Sequence, residues 1–346
     1  MRINEVESSI VITAASLETA LGNSPKLVIE ALLKKKSAAV KNSAVTALSN
    51  DGFGYVPILN APVKTLEFSR PFDRVMELCI RCLDGLFLKL PTNLSPSRLL
   101  LYIVLPAIEN SRSQFLDSDE IKHGLLTVFS ELYGCTLVFG REDQNFFEQI
   151  DNIFEELKHR KWDMVLLGGI DSLINSDTYH EMIQRNNIRK TGYLEAEMPG
   201  EGAAFVMLQR SGDFDLLSEA GVKIEKLDIE HIEQLGTFLK NVEMIISDRA
   251  CDRKSDIAWY EETKHFWTES DNSAESIPLE IRSKRWLGNL GAAHIPMMLA
   301  VGVGWFELGS REVLSRVVVL KIPKIPPNPP FSKWGIGLTS MYMHTT

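Results

Sequence analysis

Short apolar runs rich in β-forming residues alternate with segments of helical period along this chain, and that alternation restricts the fold more than any other feature. Ile10-Val11-Ile12-Thr13 precedes a helical pattern over Lys26 to Lys35, and Leu99 to Leu105 precedes one over Ser118 to Tyr133. Thr136 to Phe139 precedes Asn145 to Lys158, and Met164 to Leu167 precedes Thr178 to Arg185. Strands apolar on both sides need helices on both faces of their sheet, so the pattern predicts βα units and the α/β class. A second series follows Gly202, with strands over Ala203 to Leu208, Val222 to Ile229 and Met244 to Ser247, then helices from about Asp256 and about Ile295. Strands over Val317 to Leu320 and Leu338 to Met343 complete it. Pro323 to Pro330 holds five prolines in eight residues, which predicts a stiff extended connector into the last strand.

Composition narrows the function classes. With 346 residues, 45% hydrophobic and 24% charged, the chain is long enough for one large domain or two fused halves and is not a disordered polymer. A net charge of -9 argues against a broad phosphate-binding face, so nucleic acid is not an expected partner. Four scattered cysteines, Cys79, Cys82, Cys135 and Cys251, are too few for a disulfide framework and suit a reducing cytoplasm. Cys79 and Cys82 fall inside an amphipathic helical pattern from Arg70 to Leu83 with no second ligand pair nearby, which favours buried helix residues over a redox or zinc site. The start, Met1 to Glu7, lacks the basic and apolar character of a signal peptide. Ile295 to Phe306, interrupted by Pro296, Gly302 and Gly304, is too short to cross a bilayer and reads as a buried helix. No nucleophile elbow, phosphate loop, dinucleotide fingerprint or metal-ligand spacing is present, so no cofactor and no metal are expected.

The more specific motifs lie mid-chain. Trp162 to Ser172, containing Gly168-Gly169-Ile170-Asp171-Ser172, is followed about thirty residues later by Pro199-Gly200-Glu201-Gly202-Ala203-Ala204. Val11 to Ser16, Ala20-Leu21-Gly22-Asn23 and Phe68 to Arg74 add weaker matches in the same order. Together these segments resemble the scaffold of the β-ketoacyl synthases, a thiolase-like family. The resemblance covers most of the chain and implies two similar βα halves packed as a layered αβαβα core, here residues 1–205 and 206–346 forming one compact unit.

The same resemblance exposes what is missing. Ketosynthases carry a nucleophilic Cys at a strand-to-helix turn, where the helix N-terminus stabilises the thiolate. Counting from Asp163 and from the following helix places Asp143 there, with Gln144 adjacent as the alternative. Asp143 is also a natural residue for a helix start, and Asn145 with Glu148 resembles a capping box. The family's first catalytic His, which assists decarboxylation and stabilises the enolate, matches Asp248, with Asp256 closing that segment and suited to capping the helix that begins there. The second His matches Gly288, in a run from Lys284 to Gly291-Ala292-Ala293. His294 follows, and a local hydrogen bond suits it better than catalysis. Gly335-Ile336-Gly337 resembles a worn version of the glycine loop that gates the acyl pocket. Glu201, Asp256, Lys284, Gly335, Ile336 and Gly337 are thus scaffold or tunnel residues by resemblance, while Asp143, Gln144, Asp248 and Gly288 are degenerate positions, leaving no catalytic residue.

A condensing scaffold without thiol or imidazoles resembles the chain-length factors of type II polyketide systems, the short ones of aryl polyene clusters in particular. The resemblance implies a cytoplasmic, non-catalytic subunit that pairs with an active ketosynthase and meets an acyl carrier protein through that complex. Two alternatives stand: an independent thioester hydrolase or decarboxylase using Asp143 and Asp248 as a carboxylate pair, and a homodimeric acyl-binding protein.

Overall fold

The computed structural model describes residues 9–67, 70–91, 94–144, 146–211, 213, 222–229, 242–249, 256–257, 259–260, 279–308, 316–321 and 338–345. Phe68, Ser69, Asn145, Cys251, the proline-rich Pro323 to Pro330 and the Gly335-Ile336-Gly337 segment lie outside them. The first half runs β1 (Ile10–Thr19), α1 (Pro25–Leu33), β2 (Val40–Leu48), β3 (Tyr55–Asn60), α2 (Pro71–Phe87), β4 (Leu99–Leu105), α3 (Ser118–Val128), β5 (Thr136–Arg141), α4 (Phe146–Lys158), β6 (Met164–Ser172), α5 (Ser176–Gln184) and β7 (Glu201–Arg210). The second runs β8 (Val222–Ile229), β9 (Met244–Ser247), β10 (Leu279–Arg282), α6 (Ser283–Leu287), α7 (His294–Glu307), β11 (Arg316–Lys321) and β12 (Leu338–Thr345).

Helix starts follow local chemistry. Ser24, Asp117 and Asn175 accept hydrogen bonds from first-turn N–H groups of α1, α3 and α5, and Pro25 and Pro71 sit where a missing N–H costs nothing. At the far end of α4, the buried Arg210 guanidinium donates to the Leu157 carbonyl at 2.6 Å and the Trp162 carbonyl at 2.9 Å, closing groups the helix leaves open.

One ten-stranded sheet carries the fold, in the order β10-β9-β11-β12-β8-β1-β7-β6-β4-β5. Ranked within each half, both read third, second, fourth, fifth, first, and in both the outer three strands are parallel while the remaining two junctions are antiparallel. The duplication that no sequence repeat reveals is therefore present in topology. The half-sheets are not separate: a short antiparallel ladder joins Ile10 to Ile12 of β1 with Val222 to Ile224 of β8.

Alternate residues of the central strands feed two cores. Leu100, Tyr102, Val104, Val165, Leu167, Val206 and Leu208 face a core built with α1, α4 and α7, while Leu99, Leu101, Ile103, Leu166, Phe205 and Met207 face one built with α2 and α3. Burial on both faces explains the uninterrupted apolar runs. The first core also takes Met244 and Ile246 of β9 and Val317 and Val319 of β11, and α7 packs on strands of both halves, making it a shared central layer. Nearly all of α7 is buried, as its sequence implied. Cys79 and Cys82 are fully buried free thiols in α2, and burial pushes both well above the ordinary thiol range. Among the described residues no helix is long and apolar enough to cross a membrane.

Two features escaped the sequence reading. The β2–β3 hairpin forms a separate two-stranded sheet, and its largely exposed, polar β2 offers no apolar run. Strand β10 has only four residues, two of them charged, yet it pairs with β9 at the sheet's end.

Candidate functional site

The turn from β5 into α4 places Asp143 and Gln144 on the surface. Gln144 closes the turn: its N–H donates to the Arg141 carbonyl at 3.1 Å, and its side-chain oxygen accepts from the Arg141 N–H at 3.1 Å and from Gln149 at 2.7 Å. The expected capping box rests on Asn145 and lies outside the described residues.

Immediately before Asp143, Glu142 turns inward. Its carboxylate accepts from Arg112 Nη2 at 2.5 Å and from the Asn110 amide. Nε of the same guanidinium reaches Asp171 Oδ2 at 2.8 Å. Asp171, at the end of β6, has no exposed surface and also accepts from the N–H groups of Ser172 at 2.8 Å and Ala292 at 3.0 Å. Burial pushes its carboxyl up to about 6; Arg112 opposes that rise and Glu142 adds to it. The cluster joins the β4–α3 connection, the β5–α4 turn, β6 and the turn before α7. Sequence reading noted Asp171 only within a scaffold motif; a carboxylate ending an otherwise apolar strand was its available signal. Arg112 lies in a polar connection and gave none.

Glu201 is a structural hub. Its buried carboxylate accepts from the Val63 N–H at 2.8 Å, Arg74 Nε at 3.0 Å and Ser172 Oγ at 2.8 Å, tying β7 to β6, α2 and the segment after β3. Every lone pair it turns inward is used, so it serves as scaffold.

In the second half, Asp248 follows β9 and stands 3.6 Å from the ammonium of Lys284, with side chains only 11% and 18% exposed. The carboxylate is thus paired with a cation from α6. Arg249, buried beside it, reaches Glu280 at 2.8 Å and stacks its guanidinium 5.3 Å from the Trp259 ring centre. The Asp256 carboxylate accepts from Arg282 at 2.5 Å and lies 3.6 Å from Arg249.

Gly288 adopts φ +84, and a Cβ there would lie 2.9 Å from the Met198 carbonyl oxygen and 3.3 Å from Gly200 Cα. The turn is pressed against residues 198–200 by the Asn289 N–H to Met198 carbonyl bond at 2.7 Å and the Gly200 N–H to Asn289 carbonyl bond at 3.0 Å. The next side chain, Asn289, accepts from the Gly291 N–H and donates to Glu197 at 3.1 Å, so it too is engaged locally. Gly291 also has positive φ, and a Cβ on it would overlap the Asp171 carboxylate. His294 is buried, shares a 2.8 Å hydrogen bond with Ser283 Oγ, and is held well below the ordinary imidazole range by burial and by Lys284. That bond uses Nε2, while the buried Nδ1 has no hydrogen-bond partner among the described residues. Among the described residues no group of His, Cys, Asp and Glu side chains is arranged to hold a metal.

No family model and no curated protein matches the chain. Solved structures do. The apo AntDE:AntF assembly, a type II polyketide acyl-carrier protein with its ketosynthase bound to the hexaketide, matches with a TM-score of 0.66 at 12% identity over 98% of this chain and 99% of that one. The ishigamide ketosynthase/chain length factor gives 0.60 at 14% over 97% and 99%. A β-ketoacyl synthase from Burkholderia phymatum STM815 gives 0.62 at 12% over 98% and 99%. At such identities the likeness establishes architecture, and the architecture of this chain is the thiolase-like fold of the ketosynthases.

Proposed function

We propose that this protein is a non-catalytic, chain-length-factor-type subunit of a type II polyketide or related fatty-acid-like system, paired with an active ketosynthase whose acyl tunnel it completes and limits. The observation that carries this reading is what stands at the positions matched to the family's three reactive groups. Asp143 is a carboxylate on an exposed turn, Asp248 faces an ammonium, and Gly288 has neither a side chain nor space for one. A carboxylate cannot hold an acyl group as a stable thioester, and glycine can neither donate nor accept a side-chain proton. The partner would supply the thiol and both imidazoles.

Strand β5 ends the sheet, with Val138 exposed, and an end strand offers unpaired backbone groups to a neighbour of the same fold. The ishigamide structure is named as a ketosynthase/chain length factor, a precedent for such a pair. The aryl polyene assignment is the finer form of the proposal and rests on the sequence resemblance. The test is size-exclusion chromatography of the protein expressed alone and with its genomically neighbouring ketosynthase, followed by intact mass analysis after incubation with acyl thioesters. A heterocomplex with no acyl adduct on this chain is expected. Covalent acylation of the isolated chain, or release of carbon dioxide from malonyl carrier protein by it alone, would refute the reading.

A further inference from the structure

We propose that Asp171, Arg112 and Glu142 form a proton-operated latch, which holds the 106–116 segment closed while Asp171 carries a proton and loosens it when that proton leaves. The geometry sets up the competition: one guanidinium, 14% exposed, bridges a carboxylate with no exposed surface and another that is 23% exposed. Two negative charges and one positive leave an excess negative charge in a poorly solvated place, where neutralising a carboxyl is cheaper than leaving both ionised.

Other groups around the cluster donate hydrogen bonds but bring no further positive charge to it. The Ser172 and Ala292 N–H groups donate to Asp171, and the Asn110 amide donates to Glu142. On the α5 side, Glu181 accepts from Ser111 Oγ at 3.2 Å. On the β7 side, Glu201 is occupied by Arg74 and Ser172. No second cation shares the load among the hydrogen bonds and ion pairs of the described residues here. The raised Asp171 carboxyl, at about 6, agrees with this arrangement.

The sign follows from linkage. Opened to water, Asp171 returns toward its ordinary value of 3.8, so it binds a proton more tightly when the latch is closed. Acidification through about 6 therefore favours closure, and a rise in pH favours opening. This inference does not rest on the chain-length-factor reading, because the same groups meet whatever the chain binds.

Hydrogen–deuterium exchange of amides 107–116, corrected for intrinsic rates, tests it on the intact protein. Opening about tenfold greater near pH ~7.5 than near pH ~5 is expected, with a midpoint near 6. Glu142→Gln removes the competing charge and should move the midpoint down by about one pH unit or more. Infrared titration of the wild-type protein should show a buried carboxylic-acid band fading through the same range. Loop exchange independent of pH, an unchanged midpoint in Glu142→Gln, or no such band would overturn the proposal.

Discussion

The two halves share one strand order, yet they leave their third strands differently. After β5 the chain makes an open polar turn, with Asp143 and Gln144 exposed, and enters an amphipathic helix. After β10 it passes directly into α6 and then through a turn clamped by Gly288 against residues 198–200 and by Gly291 against Asp171, before a helix buried nearly throughout. In the first half, the position matched by resemblance to the family's nucleophile stands where almost any side chain fits. In the second, the backbone itself occupies the space where one would stand. What the first turn can carry is a matter of residue identity; what the second can carry is set by packing.

That contrast can be attacked at the wall behind the second turn. Glu201 anchors the start of β7, one residue beyond Gly200, and Glu201→Ala would leave the 11%-exposed Arg74 beside a vacated carboxylate site. We expect a loss of about 3–5 kcal/mol in urea-induced unfolding. If the variant unfolds like the wild type, the wall does not depend on this hub.

Gly288→His, which would place an imidazole at the position matched by resemblance to the family's second His, should cost about 2–4 kcal/mol through positive φ and overlap with the Met198 carbonyl. Thermal unfolding measures it, and a neutral result would show that the second turn is as open as the first. Lys284→Met is milder: it removes the ammonium facing Asp248 at 3.6 Å and should cost about 1 kcal/mol, without generating decarboxylation of malonyl carrier protein.

Much of this was legible in the sequence because the physics was local. Leu99 to Leu105 and Met164 to Leu167 announce buried strands by their apolar runs, the second continuing in the structure to Ser172, and the apolar character of residues 295–306 announces a helix with no exposed face. The β2–β3 hairpin and β10 were not legible, since their stability comes from partners rather than from their own pattern. At the candidate site, Asp143, Asp248 and Gly288 are positions reached by counting from motifs. The Arg112 cluster could not be reached that way, because it gathers residues separated by 30 and 59 positions, and the guanidinium comes from a connection with no periodicity. The Arg282 partner of Asp256 was hidden for a related reason, because it reaches the carboxylate from 26 residues away.

The smallest effect belongs to the first turn. Asp143→Cys returns a thiol to the position matched to the family's nucleophile, and because that side chain is exposed the substitution should leave the melting temperature unchanged within error. The thiol would sit just before α4, where a helix N-terminus favours a thiolate, so alkylation by iodoacetamide should identify the new cysteine readily. Condensation requires more than acylation, however: a malonyl group must lose carbon dioxide while its enolate is stabilised, and here Asp248 is an acceptor facing Lys284 and Gly288 has no side chain. We therefore expect D143C to take up an acyl group from an activated thioester, visible by intact mass, and to release no carbon dioxide from malonyl carrier protein. Condensation by D143C alone would mean that the clamped second turn is no barrier to catalysis, and the distinction between the two turns would fail at its chemical end.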